Sequence, residues 1–247
     1  MRICAHRGFP AIAPENSLPA YGAAVALGAD EIEFDLWASS DGVIVSCHDA
    51  YLSRCSDGTG RIWEHTFEEL RSLDFGSKFS PELAGLQIPT YEEILENFAG
   101  RVTLATHVKD PDNVSPLPES TLREIARLLR KYSVAESSYF ICGNNALLEQ
   151  LAEMIPEVPR CIIHGNDPME DIIEKAKRHG ASRIALFPPY FKHYDAEYVP
   201  RTVAAAHALG LPVNIDCDDA ELARQYAAWG VDTICTNRMF AMKKLFG

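Results

Sequence analysis

Short apolar runs alternate with amphipathic stretches along most of the 247 residues. The runs are rich in β-branched residues, as strands buried on both faces should be. Between them, apolar residues recur with helical spacing, most clearly over 120–132 and 145–155. The predicted strands are 2–5, 30–36, 102–108, 138–142, 159–163, 183–187, 212–216 and 232–236. This alternation predicts an α/β fold, a (β/α)8 barrel of the TIM type.

An extra strand and a long irregular stretch interrupt this rhythm after the second strand. Ser40-Asp41-Gly42 is a hairpin signal, so a strand at 43–47 is predicted to pair with the strand that ends near Leu36. Residues 50–90 have no regular pattern, and in a compact domain such an insertion is more often a lid or a substrate wall than a second domain. We therefore predict one domain over 1–247, with a β-hairpin and a long loop insertion after strand 2.

Glycine and aspartate mark several predicted helix ends. Four helix-to-strand joins begin with glycine, which supplies the left-handed residue that ends a helix. These glycines are Gly28, Gly180, Gly210 and Gly230. Asp167-Pro168 and Asp195 are predicted to begin two of the later helices.

The charge and the cysteines restrict the partners and the compartment. A net charge of −12 argues against broad nucleic-acid binding and against docking on anionic membranes, so an anionic substrate needs a locally positive pocket. The apolar runs are shorter than a membrane span of about 20 residues, and no signal peptide is recognisable. Seven cysteines without a CxxC motif indicate reduced thiols and a cytoplasmic protein. The sequence leaves the oligomeric state open.

Polar residues collect at the predicted carboxyl ends of the strands, where barrels of this kind carry their functional groups. They are His6, Arg7, Glu33, Asp35, His48, Asp49, His107, Lys109 and Asp216. Together they offer proton-transfer groups, cations that bind anions, and ligands for a hard metal. Metal-assisted cleavage of a phosphate ester needs this combination.

Glu33 and Asp35 are two residues apart on a predicted strand, so their side chains project from the same face. Two inward carboxylates repel each other unless a cation or a proton lies between them, which favours a divalent metal. A solvated face of an edge strand is the alternative. His107 has the right position for a third ligand, and a hydrogen-bonded histidine inside the barrel is equally compatible with its position.

His6 and His48 can exchange protons with an attacking group and a leaving group near neutral pH. Either histidine alone would more often be structural. Arg7 can bind a phosphate through two hydrogen bonds, and Lys109 can add a point charge.

The order of these residues resembles that of the glycerophosphodiester phosphodiesterase family. The similarity spans about the first 110 residues and is weaker beyond them. The matching stretches are His6-Arg-Gly, Pro14-Glu-Asn-Ser, Gly28-Ala-Asp-Glu-Ile-Glu-Phe-Asp, Asp41-Gly-Val-Ile-Val-Ser-Cys-His-Asp, Leu52-Ser-Arg-Cys-Ser-Asp-Gly-Thr-Gly and Ile88-Pro-Thr-Tyr-Glu-Glu-Ile-Leu.

The resemblance implies a role for each group. Carboxylates matching Glu33 and Asp35 would hold the metal, and His6 and His48 would be the acid–base pair. Arg7 and Lys109 would bind the phosphate. An adjacent glycerol hydroxyl is thought to attack phosphorus in the family, and water then opens the cyclic phosphate. The resemblance also gives supporting positions: Glu15 and Asn16 are expected to organise the metal or phosphate site, with Asn16 on the phosphate, and Asp49 and Asp216 to support it.

Two departures from the family pattern concern the metal and the substrate. The family usually has a glutamate where this chain has His107, and a two-carboxylate, one-histidine site shifts preference from Ca²⁺ toward Mn²⁺, Zn²⁺ or another borderline ion. We expect a divalent ion from the group Mg²⁺, Ca²⁺, Mn²⁺ and Zn²⁺. Where the family often has Trp-Thr, the chain has Ile215-Asp216, which removes an aromatic wall and adds a carboxylate.

These features favour metal-dependent hydrolysis of a glycerophosphodiester, or of a similar small diester, to an alcohol and glycerol 3-phosphate. One alternative is a phospholipase D-like or cyclising lyase that stops at the cyclic phosphate. Another is a non-catalytic barrel that binds a phosphate ligand. The presence of both His6 and His48 argues against the binder, because binding needs positive charge but no proton transfer.

Overall fold

Nine strands form one sheet in the computed structural model, which describes residues 1–111, 115–164 and 170–247, without the side chains of residues 189, 190 and 193. The strands are β1 Arg2–Ala5, β2 Glu31–Ala38, β3 Ile44–Ser46, β4 Thr103–Val108, β5 Ser138–Cys142, β6 Arg160–Ile162, β7 Arg183–Leu186, β8 Val213–Asp216 and β9 Thr233–Thr236. Each predicted strand is confirmed, with bounds that differ by at most two residues.

Eight of the strands close into a parallel barrel. The sheet order runs β1-β9-β8-β7-β6-β5-β4-β2, and β1 also pairs with β2, so the first and last of these strands meet. The predicted (β/α)8 barrel is therefore confirmed. Parallel pairing sends all the carboxyl ends to one rim, and this geometry brings the polar residues at strand ends together.

Helices separate the strands of the barrel. They are α1 Leu18–Ala26, α2 Phe67–Arg71, α3 Tyr91–Phe98, α4 Glu119–Lys131, α5 Asn145–Met154, α6 Ile172–Arg178, α7 Tyr198–Ala208, α8 Ala220–Ala228 and α9 Met239–Phe246. The two helices predicted most clearly, α4 and α5, begin and end within one residue of their predicted bounds. Within the described ranges, none of the helices has both the length and the apolar character to cross a membrane.

The helix ends follow the sequence in part. All four predicted joining glycines have positive φ, for example 78° at Gly28 and 90° at Gly230. The predicted start at Asp195 is wrong, because α7 begins at Tyr198 after the N-cap Glu197. Asp195 accepts a hydrogen bond from the Glu197 amide, so it organises the turn before the helix. Asp167-Pro168 lies outside the described residues.

The predicted hairpin is also confirmed. β3 runs antiparallel to β2, with Leu36 opposite Ser46 and Ala38 opposite Ile44. The insertion that follows contains short 3₁₀ turns and α2, and it packs on the hairpin through a small apolar core of its own. The buried residues of that core are Trp37, Val45, Cys47, Leu52, Ile62, Leu70, Phe75 and Ile88.

The amino-end of the barrel is filled by a buried ion cluster. Glu31, at the start of β2, is fully buried and pairs with Arg2 at 2.9 Å and with Arg183 at 3.2 Å. The Tyr139 hydroxyl donates to the same carboxylate at 2.5 Å. Because these groups occupy one end, the open cavity of the barrel lies at the opposite, carboxyl end.

Candidate active site

A cavity of about 270 Å³ opens at the carboxyl ends of the strands. Of the residues predicted for the site, it is lined by His6, Arg7, Glu33, Asp35, His48, His107, Lys109 and Asp216. The opposite wall is largely apolar and includes Ile141, Ile163, Leu186 and Phe187. The structure thus brings the two histidines predicted for proton transfer, the two cationic side chains and the carboxylates into one cavity.

The Asp35 carboxylate contacts several polar side chains in the cavity, and only 1% of the residue's surface is exposed. Asn16 donates to its Oδ2 at 2.9 Å, and Lys109 Nζ lies 2.9 Å from its Oδ1. The register of β2 and β4 places Asp35 opposite His107, whose Nδ1 is 3.5 Å from Oδ1. Glu33, two residues earlier, accepts the Arg7 amide proton at 3.0 Å.

The two carboxylates have opposite pKa shifts. Burial raises the pKa of Glu33 to about 7, and the nearby charge of Asp35 adds to this effect. Burial also acts on Asp35, but Lys109, followed by His107, holds the pKa of that carboxyl below its usual range. A second negative charge beside Asp35 is therefore disfavoured unless a cation compensates it.

Glu33, Asp35 and His107 could hold such a cation together. Each offers one ligand atom, and these atoms all lie within 4.8 Å of one another. Asp35 Oδ1 is buried, and apart from its ion pairs with Lys109 and His107 it has no hydrogen-bond partner among the described residues. Burial, followed by the charge of Lys109, places the pKa of His107 well below its usual value, which keeps the imidazole neutral, as ligation requires. Two carboxylates and an imidazole fit a hard or borderline divalent ion.

His6 is held by a chain of hydrogen bonds that the sequence interpretation missed. Asp218 accepts from the side-chain amide of Asn237 at 2.8 Å and from its backbone amide at 2.7 Å. The Asn237 Oδ1 atom therefore faces His6 Nδ1, at 2.9 Å. Because Oδ1 can only accept, Nδ1 carries the proton, and Nε2 is the nitrogen left for chemistry.

The environment of His6 favours its protonated form. Burial lowers the pKa of His6, but the charges of Glu33 and Asp216 outweigh burial and Arg7, and the pKa is raised from its ordinary value of 6.5. Burial raises the pKa of Asp216 as well. Asp216, the carboxylate added at the end of the seventh barrel strand, thus lies close enough for its charge to act on His6.

His48 is fixed from the outer side of the barrel mouth. Its Nδ1 lies 2.5 Å from Asp49 Oδ1, and Trp37 donates to its backbone carbonyl at 3.3 Å. Arg54 forms an ion pair with Asp49 and another with Glu15. Arg54 belongs to the quoted Leu52-Ser-Arg stretch, so its position was visible in the sequence, but its contacts were not.

The pKa of His48 moves in the opposite direction from that of His6. Burial lowers it below the ordinary value of 6.5, and the nearby charges of Lys109 and Arg7 lower it further, against the opposing charge of Asp35. Of the two histidines predicted for proton transfer, His48 therefore favours the neutral form and His6 the charged form.

Arg7 and Asn16 both have left-handed backbone conformations, with φ of 57° and 55°. Such conformations are costly for residues other than glycine and cluster at functional sites. Arg7 is held by Glu15 at 3.1 Å, and its buried Nε has no hydrogen-bond partner among the described residues. The same Nε lies 3.8 Å from Asp35 Oδ2, so the guanidinium is held between Glu15 and Asp35 at the edge of the cavity. In that position it can also bind an anion in the cavity.

Asn16 contacts Asp35 rather than the open cavity. Its Oδ1 accepts from the Asp35 amide at 3.1 Å, from the Tyr21 hydroxyl at 2.9 Å and from the Ser46 hydroxyl at 3.2 Å. These contacts favour a role in orienting Asp35, and the predicted contact of Asn16 with phosphate stays a prediction. Glu15 likewise acts on the site through Arg7.

Comparison with known proteins connects this geometry to a family. The chain matches the glycerophosphoryl diester phosphodiesterase family over residues 6–241. The putative glycerophosphodiester phosphodiesterase YhdW of Bacillus subtilis is 32% identical over 163 residues, which cover 66% of this chain and 65% of that protein. A glycerophosphodiester phosphodiesterase from the same organism is 27% identical over 243 residues, which cover 94% of this chain and 82% of that protein.

Solved structures agree over the whole barrel. A phosphodiesterase from Oleispira antarctica, in complex with the product sn-glycerol-3-phosphate, has a TM-score of 0.86 at 25% identity and matches 99% of this chain and 95% of its own. The glycerophosphodiester phosphodiesterase of Agrobacterium tumefaciens has a TM-score of 0.79 at 26% identity, with 98% and 99% covered.

These matches place the chain in the class of phosphoric diester hydrolases built on a (β/α)8 barrel. Because the family match runs through nearly the whole sequence, the chain belongs to the glycerophosphoryl diester phosphodiesterase family.

Proposed function

We propose that this protein hydrolyses a glycerophosphodiester to an alcohol and glycerol 3-phosphate, using a divalent metal ion and the acid–base pair His6 and His48. The observation that carries the proposal is the shared cavity, in which both histidines lie with Arg7, Lys109 and the carboxylate pair. The Oleispira antarctica relative, solved with sn-glycerol-3-phosphate, supports the choice of substrate. A barrel that only bound phosphate would need the cations but not two positioned histidines.

Each residue of the cavity has one proposed role in the reaction. Arg7 and Lys109 bind the phosphate, and a neutral His48 accepts the proton of the glycerol hydroxyl that attacks phosphorus. A protonated His6 donates its proton to the departing alcohol, which leaves a cyclic phosphate. Water then opens the ring, with the two histidines in exchanged roles. A divalent ion held by Glu33, Asp35 and His107 would supply Lewis-acid neutralisation of the phosphate charge.

The experiment that tests this proposal is a metal-restoration assay. Chelator-stripped protein is given Mg²⁺, Ca²⁺, Mn²⁺ or Zn²⁺ separately, and release of glycerol 3-phosphate from glycerophosphocholine and glycerophosphoethanolamine is measured. We expect turnover with at least one ion and none without metal. Phosphorus NMR of the products separates hydrolysis from a lyase that stops at the cyclic phosphate. Phosphate binding without any turnover would favour the non-catalytic barrel.

The pH dependence of kcat/KM is expected to be bell-shaped. Activity needs His48 neutral, so it rises with pH through the lowered pKa of His48, below 6.5. Activity also needs His6 protonated, so it falls with pH through the raised pKa of His6, above 6.5. A pH series on the metal-loaded protein measures both limbs. A rate that stays flat from pH 5 to 9 would remove the pair from the mechanism.

The metal preference should depend on His107. In His107→Glu a third carboxylate replaces the imidazole, and we expect the metal profile to shift toward Mg²⁺ or Ca²⁺, because hard ions prefer oxygen ligands. Metal content after dialysis against equal mixtures of the four ions measures the shift without relying on turnover. An identical profile in both proteins would mean that His107 is not a ligand.

We also propose that residues 50–90 form a substrate wall within a single domain of residues 1–247. Arg54, Lys78 and Phe79 from this segment line a second pocket of about 190 Å³, and His48 lines both this pocket and the main cavity. A wall in this position fits the alcohol half of the substrate. We further propose a cytoplasmic location, as predicted from seven cysteines without a CxxC motif.

A further inference from the structure

Two thiols, Cys47 at the end of the hairpin and Cys55 in the insertion, face each other beside the candidate active site. The sulfur atoms of Cys47 and Cys55 lie 3.2 Å apart. Cys47 is buried and Cys55 is partly exposed, and both line the pocket that also contains His48 and Arg54. A disulfide needs a sulfur–sulfur distance of about 2.05 Å, so a movement of roughly 1 Å separates these thiols from a covalent bond.

We propose that Cys47 and Cys55 form an oxidation site, at which a hydroperoxide converts the dithiol to a disulfide and thereby lowers turnover until a thiol reductant restores it. The effect on turnover rests on the proposed function, while the formation of the disulfide does not.

Cys55 is the thiol that reacts first. It is the more exposed of the two, and its hydrogen bond with Cys47, aided by the charge of Arg54, lowers the pKa of Cys55. The Cys55 thiolate attacks one oxygen of the hydroperoxide, which forms a sulfenic acid and releases hydroxide, or an alkoxide from an organic hydroperoxide. The Cys47 thiol then displaces the sulfenic oxygen as water. In total two thiols are oxidised and one hydroperoxide is reduced, and reduction by an added dithiol returns the starting state.

The disulfide acts on catalysis through the residues next to it. Drawing Cys55 toward Cys47 moves Arg54, the adjacent residue, which is paired with Asp49 and Glu15. Asp49 in turn holds His48 at 2.5 Å. A displacement of about 1 Å at a catalytic group can cost about 10²-fold in rate, so we expect oxidation to lower turnover by about tenfold or more.

Tryptic mapping tests the bond directly. Trypsin cleaves after Arg54, which lies between the two cysteines, and after Arg7 and Arg61 on either side. The full-length protein, treated with hydrogen peroxide and then alkylated, should give the peptide 8–54 linked to the peptide 55–61. Before alkylation, the intact mass should fall by the two thiol hydrogens, about 2 Da. Dithiothreitol added before alkylation should reverse both changes. Absence of the linked peptides would overturn the proposal.

Turnover measured on the same samples tests the consequence. Cys55→Ser should keep its activity through peroxide treatment, whereas Cys142→Ser, which alters a buried thiol that lines neither pocket, should lose activity as the unaltered protein does. If the linked peptides form and turnover is unchanged, the proposed control of His48 is wrong. Equal loss in Cys55→Ser would assign the inactivation to another group. If no sample turns over, the proposed function fails, and the peptide map still decides whether the oxidation site exists.

Discussion

Replacing His48 by alanine is expected to lower kcat by about 10²–10⁴-fold, the usual effect of removing an acid–base group. The loss should appear in kcat rather than in binding, because Arg7 and Lys109, the proposed phosphate ligands, stay in the cavity. Steady-state kinetics with the activating ion measures both parameters. Metal content should stay normal, since His48 is not among the three grouped ligands.

His65→Ala is the matched control for this variant. His65 lies in the insertion that packs beside His48, and its Nε2 contacts the Thr59 carbonyl at 2.9 Å, away from the cavity. A loss of insertion packing would affect both variants, whereas a loss of proton transfer would affect only His48→Ala. An unchanged rate in His48→Ala would exclude His48 from the mechanism.

Glu33→Ala and Asp35→Ala are each expected to abolish retention of the metal and, with it, turnover. Removing a group that only orients a ligand typically costs 10–100-fold in metal affinity, so removal of a ligand should exceed about 100-fold. Elemental analysis after gel filtration measures retained metal independently of activity. Asp35→Ala has a further cost, because it leaves Lys109 and Asn16 without their shared partner.

Glu31→Gln supplies the control for the carboxylate pair. Glu31 lies on the same strand and face, but it belongs to the ion cluster at the opposite end of the barrel. Its variant changes a buried charge without touching the cavity, so metal content should be normal even if the protein unfolds at a lower temperature. Normal metal content in both Glu33→Ala and Asp35→Ala would refute the assigned metal site.

The structure also explains how this member could tolerate its departures from the family pattern. His107 lies opposite Asp35 in the β2–β4 register, so an imidazole there can still reach the carboxylate pair. Asp216 lines the same cavity, and its charge helps to raise the pKa of His6. The change at the seventh barrel strand is therefore expected to act on the proposed acid–base pair through the charge of Asp216.

Much of the fold was readable from the sequence because strands and helices depend on local patterns. Buried β-branched runs placed the strand ends within two residues, and helical spacing placed α4 and α5 within one residue. Gly28 and Gly230 have the positive φ that their positions predicted. The predicted start of α7 at Asp195 was wrong because Asp195 and Glu197 both precede the helix within one turn. Local pattern alone does not decide which of two nearby acidic residues becomes the N-cap.

The sequence by itself determined which side chains lie at the carboxyl ends of the strands. Once a parallel barrel is inferred, these ends all lie on one rim, so the same side chains are assigned to it. Only the tertiary structure decided which groups touch. His6 meets Asn237, 231 residues away, because closure places β1 beside β9, and Cys47 meets Cys55 because the insertion folds back on its hairpin. Contacts of this kind depend on chain closure and on loop conformations such as that of Asn16, and no local periodicity encodes them.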